Sequence, residues 1–144
     1  LALAAARPVV GISSLETSAA GAAADGADLV AAVSDARRGE VYLAVFAHGE
    51  MILAPKLCGM AVALDELGRL TRGGRLAVIG SGANLLAAEA GKRETILRVL
   101  SGEPYPRASV LARMAATRDI HACEAPLPPY LRAPDAKPFL GAPA

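Results

Sequence analysis

Aromatic side chains make up only 3% of this 144-residue chain, and tryptophan is absent. The five rings, Tyr42, Phe46, Tyr105, Tyr130 and Phe139, are scattered, so the sequence builds no platform on which bases would stack. An excess of either charge is also lacking. Lys and Arg number 15 against 14 Asp and Glu, a formal net charge of +1, which gives no electrostatic footprint for a polyanion. The two cysteines, Cys58 and Cys123, lie far apart without CxxC spacing, which argues against a disulfide scaffold or structural zinc site and fits a reducing cytoplasm. No apolar run approaches the roughly 18 residues of a membrane span. The opening Leu1-Ala-Leu-Ala-Ala-Ala-Arg7-Pro8 has no basic segment before it and is interrupted by Arg7 and Pro8, unlike a signal core.

What the chain does have is apolar mass. With 53% hydrophobic and 20% charged residues it has the reverse of a disordered composition. Area scaling for this length allows about two-thirds of the extended surface to be buried, enough for one core. The first residues are helix formers with no cap before them and read as the tail of a helix. Val9-Val-Gly-Ile12 predicts a short strand. Ser13-Ser-Leu-Glu16 has the spacing of a capping box, predicting a helix over 15–24 that stops at Asp25-Gly26. Residues 29–33, 40–46 and 51–57 read as three strands of an antiparallel meander. The middle one is apolar at both parities, as an interior strand covered on both faces requires, and Pro55 suits an edge.

From Met60 the period becomes helical, with Val62, Leu64, Leu67 and Leu70, until Arg72-Gly-Gly74. Arg75-Leu-Ala-Val-Ile79 then reads as a buried strand, Gly80-Ser-Gly82 as a turn and 83–90 as a helix. Residues 95–100 read as a further strand and 107–117 as a helix. Five prolines between Pro126 and Pro138 predict an extended tail. The order βββαβαβα describes an α/β mixed sheet flanked by helices, a ribonuclease-H-like half-domain. Internal repeats are not evident.

Four segments carry chemistry-bearing residues. Gly80-Ser81-Gly82-Ala83-Asn84, between a strand and a helix, can receive a phosphate on backbone N–H groups or serve simply as a tight turn. The third glycine of a dinucleotide fingerprint is missing. Ser34-Asp-Ala-Arg-Arg-Gly-Glu40 puts four charges into a hairpin connection. One reading is a solvated turn with an ion pair worth at most about 1 kcal/mol; the other is an arginine fork for a phosphate or a partner carboxylate. His121, Cys123 and Glu124 are potential metal ligands, but with only His48 as a second histidine a surface segment is the expected reading, and no metal site is assigned. Ser13, Ser14 and Ser101 lack a GxSxG elbow, so no catalytic residue is assigned either.

Taken together, Pro8-Val-Val-Gly-Ile-Ser-Ser-Leu-Glu16, Asp35-Ala-Arg-Arg-Gly-Glu-Val-Tyr42, Gly80-Ser-Gly-Ala83 and Pro129-Tyr-Leu-Arg-Ala-Pro-Asp-Ala-Lys137 resemble, in order and spacing, the TsaB (YeaZ) family of tRNA threonylcarbamoyladenosine biosynthesis proteins. The resemblance implies an actin/Hsp70-like (ASKHA) protein of two ribonuclease-H-like lobes, of which this chain matches the second. It implies a cytoplasmic, non-catalytic subunit that supports the catalytic subunit TsaD and acts with the ATPase TsaE in modifying adenosine 37 of tRNA. Such a subunit meets tRNA only through the complex, forms a homodimer, has no membrane contact and holds no cofactor alone, with ATP or ADP at the TsaD interface. Two other readings stay open: an independent glycoprotease-like peptidase or ATPase, as an older family label suggests, and a stand-alone lobe that self-associates.

The family's first lobe, about a hundred residues by typical domain size, is matched only by its helix end at Leu1-Ala-Leu-Ala. Residues 1–26 are therefore expected to be a remnant of that lobe, 27–125 the second lobe and 126–144 a proline-rich tail. Ser34 stands where an aliphatic residue commonly precedes the Asp-Ala-Arg motif. By resemblance, Asp35, Arg37, Arg38, Gly39, Glu40 and Tyr42 face a partner or nucleotide, with Arg37 first among them. Gly80, Ser81 and Gly82 stand at the adenosine-side turn, and Tyr130, Leu131 and Arg132 anchor the tail, with the Tyr130 ring expected to be buried.

Overall fold

The computed structural model describes residues 4–5, 7–22, 29–71, 76–93, 98–99, 105–119 and 126–133. Over these the chain forms α1 (Ser14–Ala22), β1 (Leu29–Asp35), β2 (Glu40–Ala47), β3 (Glu50–Gly59), α2 (Met60–Thr71), β4 (Leu76–Ile79), α3 (Ala83–Gly91), β5 (Arg98–Val99) and α4 (Ala108–Thr117). One mixed sheet has the order β3-β2-β1-β4-β5. The meander β1-β2-β3 is antiparallel, whereas β4 runs parallel to β1 and β5 parallel to β4. This is the α/β half-domain expected from the element order.

Period-2 alternation divides the apolar residues into two cores. Ala31 and Val33 of β1, Val41, Leu43 and Val45 of β2 and Val78 of β4 meet Ala63, Leu64 and Leu67 of α2 and Ala83, Leu86 and Ala90 of α3. The opposite parity, Val30, Ala32, Ala44, Phe46 and Ala77, meets Leu15, Ala19 and Ala22 of α1. β2 is thus buried on both faces, which its apolar residues at both parities require. Leu43, Leu67 and Leu86 are almost wholly enclosed, and burying each contributes about 1.5–3 kcal/mol before chain entropy is counted. β3 is an edge strand, and the register against β2 shifts beside Pro55, between the pairs Leu43–Lys56 and Val45–Leu53.

The serine cap before α1 forms as the sequence predicts. Ser13 Oγ accepts the Leu15 N–H at 3.2 Å, and Thr17 Oγ1 donates to the Ser13 carbonyl at 2.9 Å. Glu16 does not complete the box; its carboxylate takes a hydrogen bond from Arg118 beyond α4, joining the two helices that lie together on this side. Residues 9–12, expected as a strand, carry no ladder. Pro8 has no donor, Gly11 is a poor strand former, and Gly11 lies against Pro126, which has no N–H to offer either. Of the strand expected at 95–100 the described part is β5, and of the expected tail residues 126–133 run without helix or strand. The stops at Asp25-Gly26, Arg72-Gly-Gly74 and Ser101-Gly102 fall outside the described residues.

Candidate functional site

Between β1 and β2 the chain reverses through three consecutive left-handed residues, Arg37 (φ 65°), Arg38 (φ 56°) and Gly39 (φ 75°). A side chain in this conformation costs about 1–2 kcal/mol per residue, so the turn needs holding. Asp35 supplies the hold: its Oδ1 accepts the Arg37 N–H at 2.8 Å while Oδ2 lies 3.3 Å from Arg37 Nη1. The Arg37 side chain is 86% exposed, so that ion pair is screened and the backbone bond is the more durable of the two. Glu40 closes the turn on both sides. Its N–H donates to the Arg37 carbonyl and its carbonyl accepts the Ala36 N–H, both at 3.0 Å, and Gly39 accepts the Met60 N–H at 3.3 Å where α2 starts.

The glycine turn between β4 and α3 lies directly against the end of β1. Gly80 has φ 110°, and a Cβ there would lie 2.3 Å from the Val33 carbonyl oxygen; one on Gly82 would lie 2.8 Å from Val33 Cγ1. Packing alone therefore requires both glycines. The Gly82 N–H donates to the Val33 carbonyl and the Ala83 N–H to the Gly80 carbonyl, each at 3.0 Å. Ser81 Oγ accepts the Asp35 N–H at 3.1 Å, which ties this turn to the arginine turn.

The third predicted group joins from the tail. Arg132 Nη2 donates to Glu40 Oε2 at 2.5 Å. Residues 129–132, together with 13–15, Ser34, Tyr42 and Pro55, bound a groove of ≈ 260 Å³ on the α1 side of the sheet. Leu131 and Arg132 are half-buried, whereas Tyr130 is 85% exposed. The expectation that the Tyr130 ring is buried is thus corrected: the described segment is held by the Arg132–Glu40 pair, and the ring projects to solvent at the groove's rim.

Residues 35–42, 80–82 and 130–132 therefore converge at one end of the sheet, at the carboxyl ends of the parallel strands β1 and β4, where open α/β sheets commonly bind ligands. Sequence reasoning missed Val33, whose carbonyl and side chain make Gly80 and Gly82 obligatory; Ser34, read as the start of the charged segment, lines the groove. Val33 reads from sequence only as a core residue, because its carbonyl's use depends on β4 lying beside β1.

On the other, α2 face of the sheet, Lys56 Nζ lies 2.6 Å from Glu66 Oε1 and holds that carboxyl below its ordinary range by hydrogen bond and charge. Burial pushes the Cys58 thiol up, the opposite of what an activated nucleophile needs. Among the described residues no three His, Cys, Asp or Glu side chains gather into a metal-ligand set; His121, Cys123 and Glu124 lie outside them. No helix among the described residues is long and apolar enough to cross a membrane.

No family model and no curated protein matches the chain. Solved structures do, among them the following two. An uncharacterized protein with similarity to peptidase YeaZ from Pseudomonas aeruginosa is 28% identical over 91% of this chain, with a TM-score of 0.60. YeaZ from Pseudomonas aeruginosa is 27% identical over 80% of it, with a TM-score of 0.53. This chain spans 62% of the first structure's length and 53% of the second's, so the likeness is to a YeaZ-like ribonuclease-H-like fold over part of those proteins.

Proposed function

We propose that this chain is a TsaB-type, non-catalytic subunit that supports TsaD, with TsaE, in threonylcarbamoylation of adenosine 37 of tRNA. The observation that carries the reading is the convergence of the three motif segments. Asp35 bonds Ser81 and Glu40 bonds Arg132, although each pair is far apart in sequence. The likeness to two YeaZ-type structures at 27–28% identity supports it independently.

In this reading the arginine turn is a rigid recognition element. Arg37 extends its guanidinium into solvent from a backbone that Asp35 has already ordered, so binding a carboxylate or phosphate at the partner interface costs little further backbone entropy. Asp35, Arg38, Gly39, Glu40 and Tyr42 hold or flank that element, and ATP or ADP is shared with TsaD rather than held here. The Gly80–Gly82 turn sets the spacing between β1 and α3, with Ser81 keeping the arginine turn in register. The complex acts in the cytoplasm, where its tRNA substrate is. The peptidase reading finds no serine elbow in the sequence and no ligand set among the described residues to support it.

The test is size exclusion with light scattering, with cognate TsaD and ATP. The chain, or a version carrying a first lobe, is expected to co-elute with TsaD and to do so less well as Arg37→Ala. Separate elution of both versions from TsaD overturns the proposal.

A further inference from the structure

The arginine turn and the tail meet at the ion pair between Glu40 and Arg132. Glu40 sits where its own N–H and carbonyl close the turn onto Arg37 and Ala36. Its carboxylate accepts a hydrogen bond from Arg132. Both side chains are largely covered, at 23% exposure for Arg132 and 38% for Glu40, so this pair is less screened than the Arg37–Asp35 pair. On the tail side, Pro128 and Pro129 restrict the segment before Arg132 to extended conformations, which lowers the entropy lost when it lies down. A further restraint on the turn is the hydrogen bond that the Arg37 N–H donates to Asp35 Oδ1. Two left-handed arginines tolerate little loosening, because an unrestrained backbone returns to negative φ.

We infer that Arg132 is a positioning residue: through Glu40 it keeps Arg37 and Arg38 in their left-handed conformation, so the docked tail and the arginine turn form one unit. Undocking the tail frees the Glu40 side chain, lets its backbone shift and relaxes the turn, while the two cores on either side of the sheet stay intact. The consequence for partner binding rests on the function proposed above; the coupling between tail and turn does not.

Limited trypsinolysis of the 144-residue chain reads this coupling directly, because cleavage after Arg37 or Arg38 requires the turn to open and can be followed peptide by peptide by mass spectrometry. Arg132→Ala and, separately, Glu40→Gln are expected to raise cleavage at these two bonds about two- to fivefold, the range an incompletely buried ion pair supports. The urea midpoint should be nearly unmoved and the Gly39 amide resonance shifted. The double variant Arg132→Glu with Glu40→Arg should restore protection. Unchanged cleavage in both single variants, or a rise that merely follows the loss of global stability, overturns the inference. Since no partner is present, that outcome is distinct from a failure of TsaD to co-elute.

Discussion

The Asp35 N–H donates to Ser81 Oγ at 3.1 Å across 46 residues, so the hairpin turn and the glycine turn share a bond. The group is part-buried, and an N–H left without its acceptor there pays for its desolvation. Ser81→Ala is expected to lower unfolding stability by about 1–2 kcal/mol, measured by urea denaturation. Ser81→Thr, which keeps the hydroxyl, should lose less; equal losses would mean that the hydroxyl is not the cause.

Gly80 and Gly39 both have positive φ, yet substitution should separate them widely. At Gly80 an added Cβ lies 2.3 Å from the Val33 carbonyl oxygen, which belongs to the backbone of the central strand β1 and cannot move aside. At Gly39 an added Cβ meets nothing within 4 Å, so only the conformational cost remains. Gly80→Ala is expected to cost about 2–4 kcal/mol and Gly39→Ala about 1 kcal/mol. Equal midpoints in chemical denaturation would refute the steric argument.

Much of this architecture was legible because its signals are local. Apolar residues at both parities of 40–46 announced a strand buried on two faces, Ser13 announced a helix start, and Pro55 announced an edge. Residues 9–12 misled because their β-prone side chains say nothing about whether a ladder partner is available; Pro126 fills the neighbouring space at Gly11 and has no donor. The same limit applies to the site. The charged hairpin and the glycine pair were visible as segments, but Asp35–Ser81 and Glu40–Arg132 depend on which strands lie side by side. Tyr130 was misjudged because an aromatic ring favours burial on average, whereas the described tail is held by its arginine.

The Lys56–Glu66 pair links β3 to α2, and its pH dependence has a definite sign. Glu66 has a lowered pKa in the folded chain, so the unfolded chain binds its proton first as pH falls. The pair's contribution is therefore complete above the unfolded value, about 4.3 for a free Glu, and is lost as pH falls through the depressed folded value. Lys56→Met should be less stable than the parent near neutrality, with the gap closing on the acid side. A gap that widens on acidification would contradict the assignment.

Arg37 carries a conformational cost that a purely structural residue at this position would not need. Glycine adopts the left-handed region freely, and the Asp35 acceptor uses only the backbone N–H of residue 37, so Arg37→Gly leaves that bond possible while removing the strain. The lost ion pair is highly exposed and worth little. Arg37→Gly is therefore expected to be as stable as the parent or more stable by up to about 1 kcal/mol, the greater backbone freedom of glycine in the unfolded chain offsetting part of the gain. Under the proposed function the same substitution weakens co-elution with TsaD, because it deletes the exposed guanidinium. Stability rising while binding falls is the signature of a residue kept for recognition at a cost to the fold. A drop in melting temperature with binding unchanged would instead make Arg37 a structural residue and remove it from the interface.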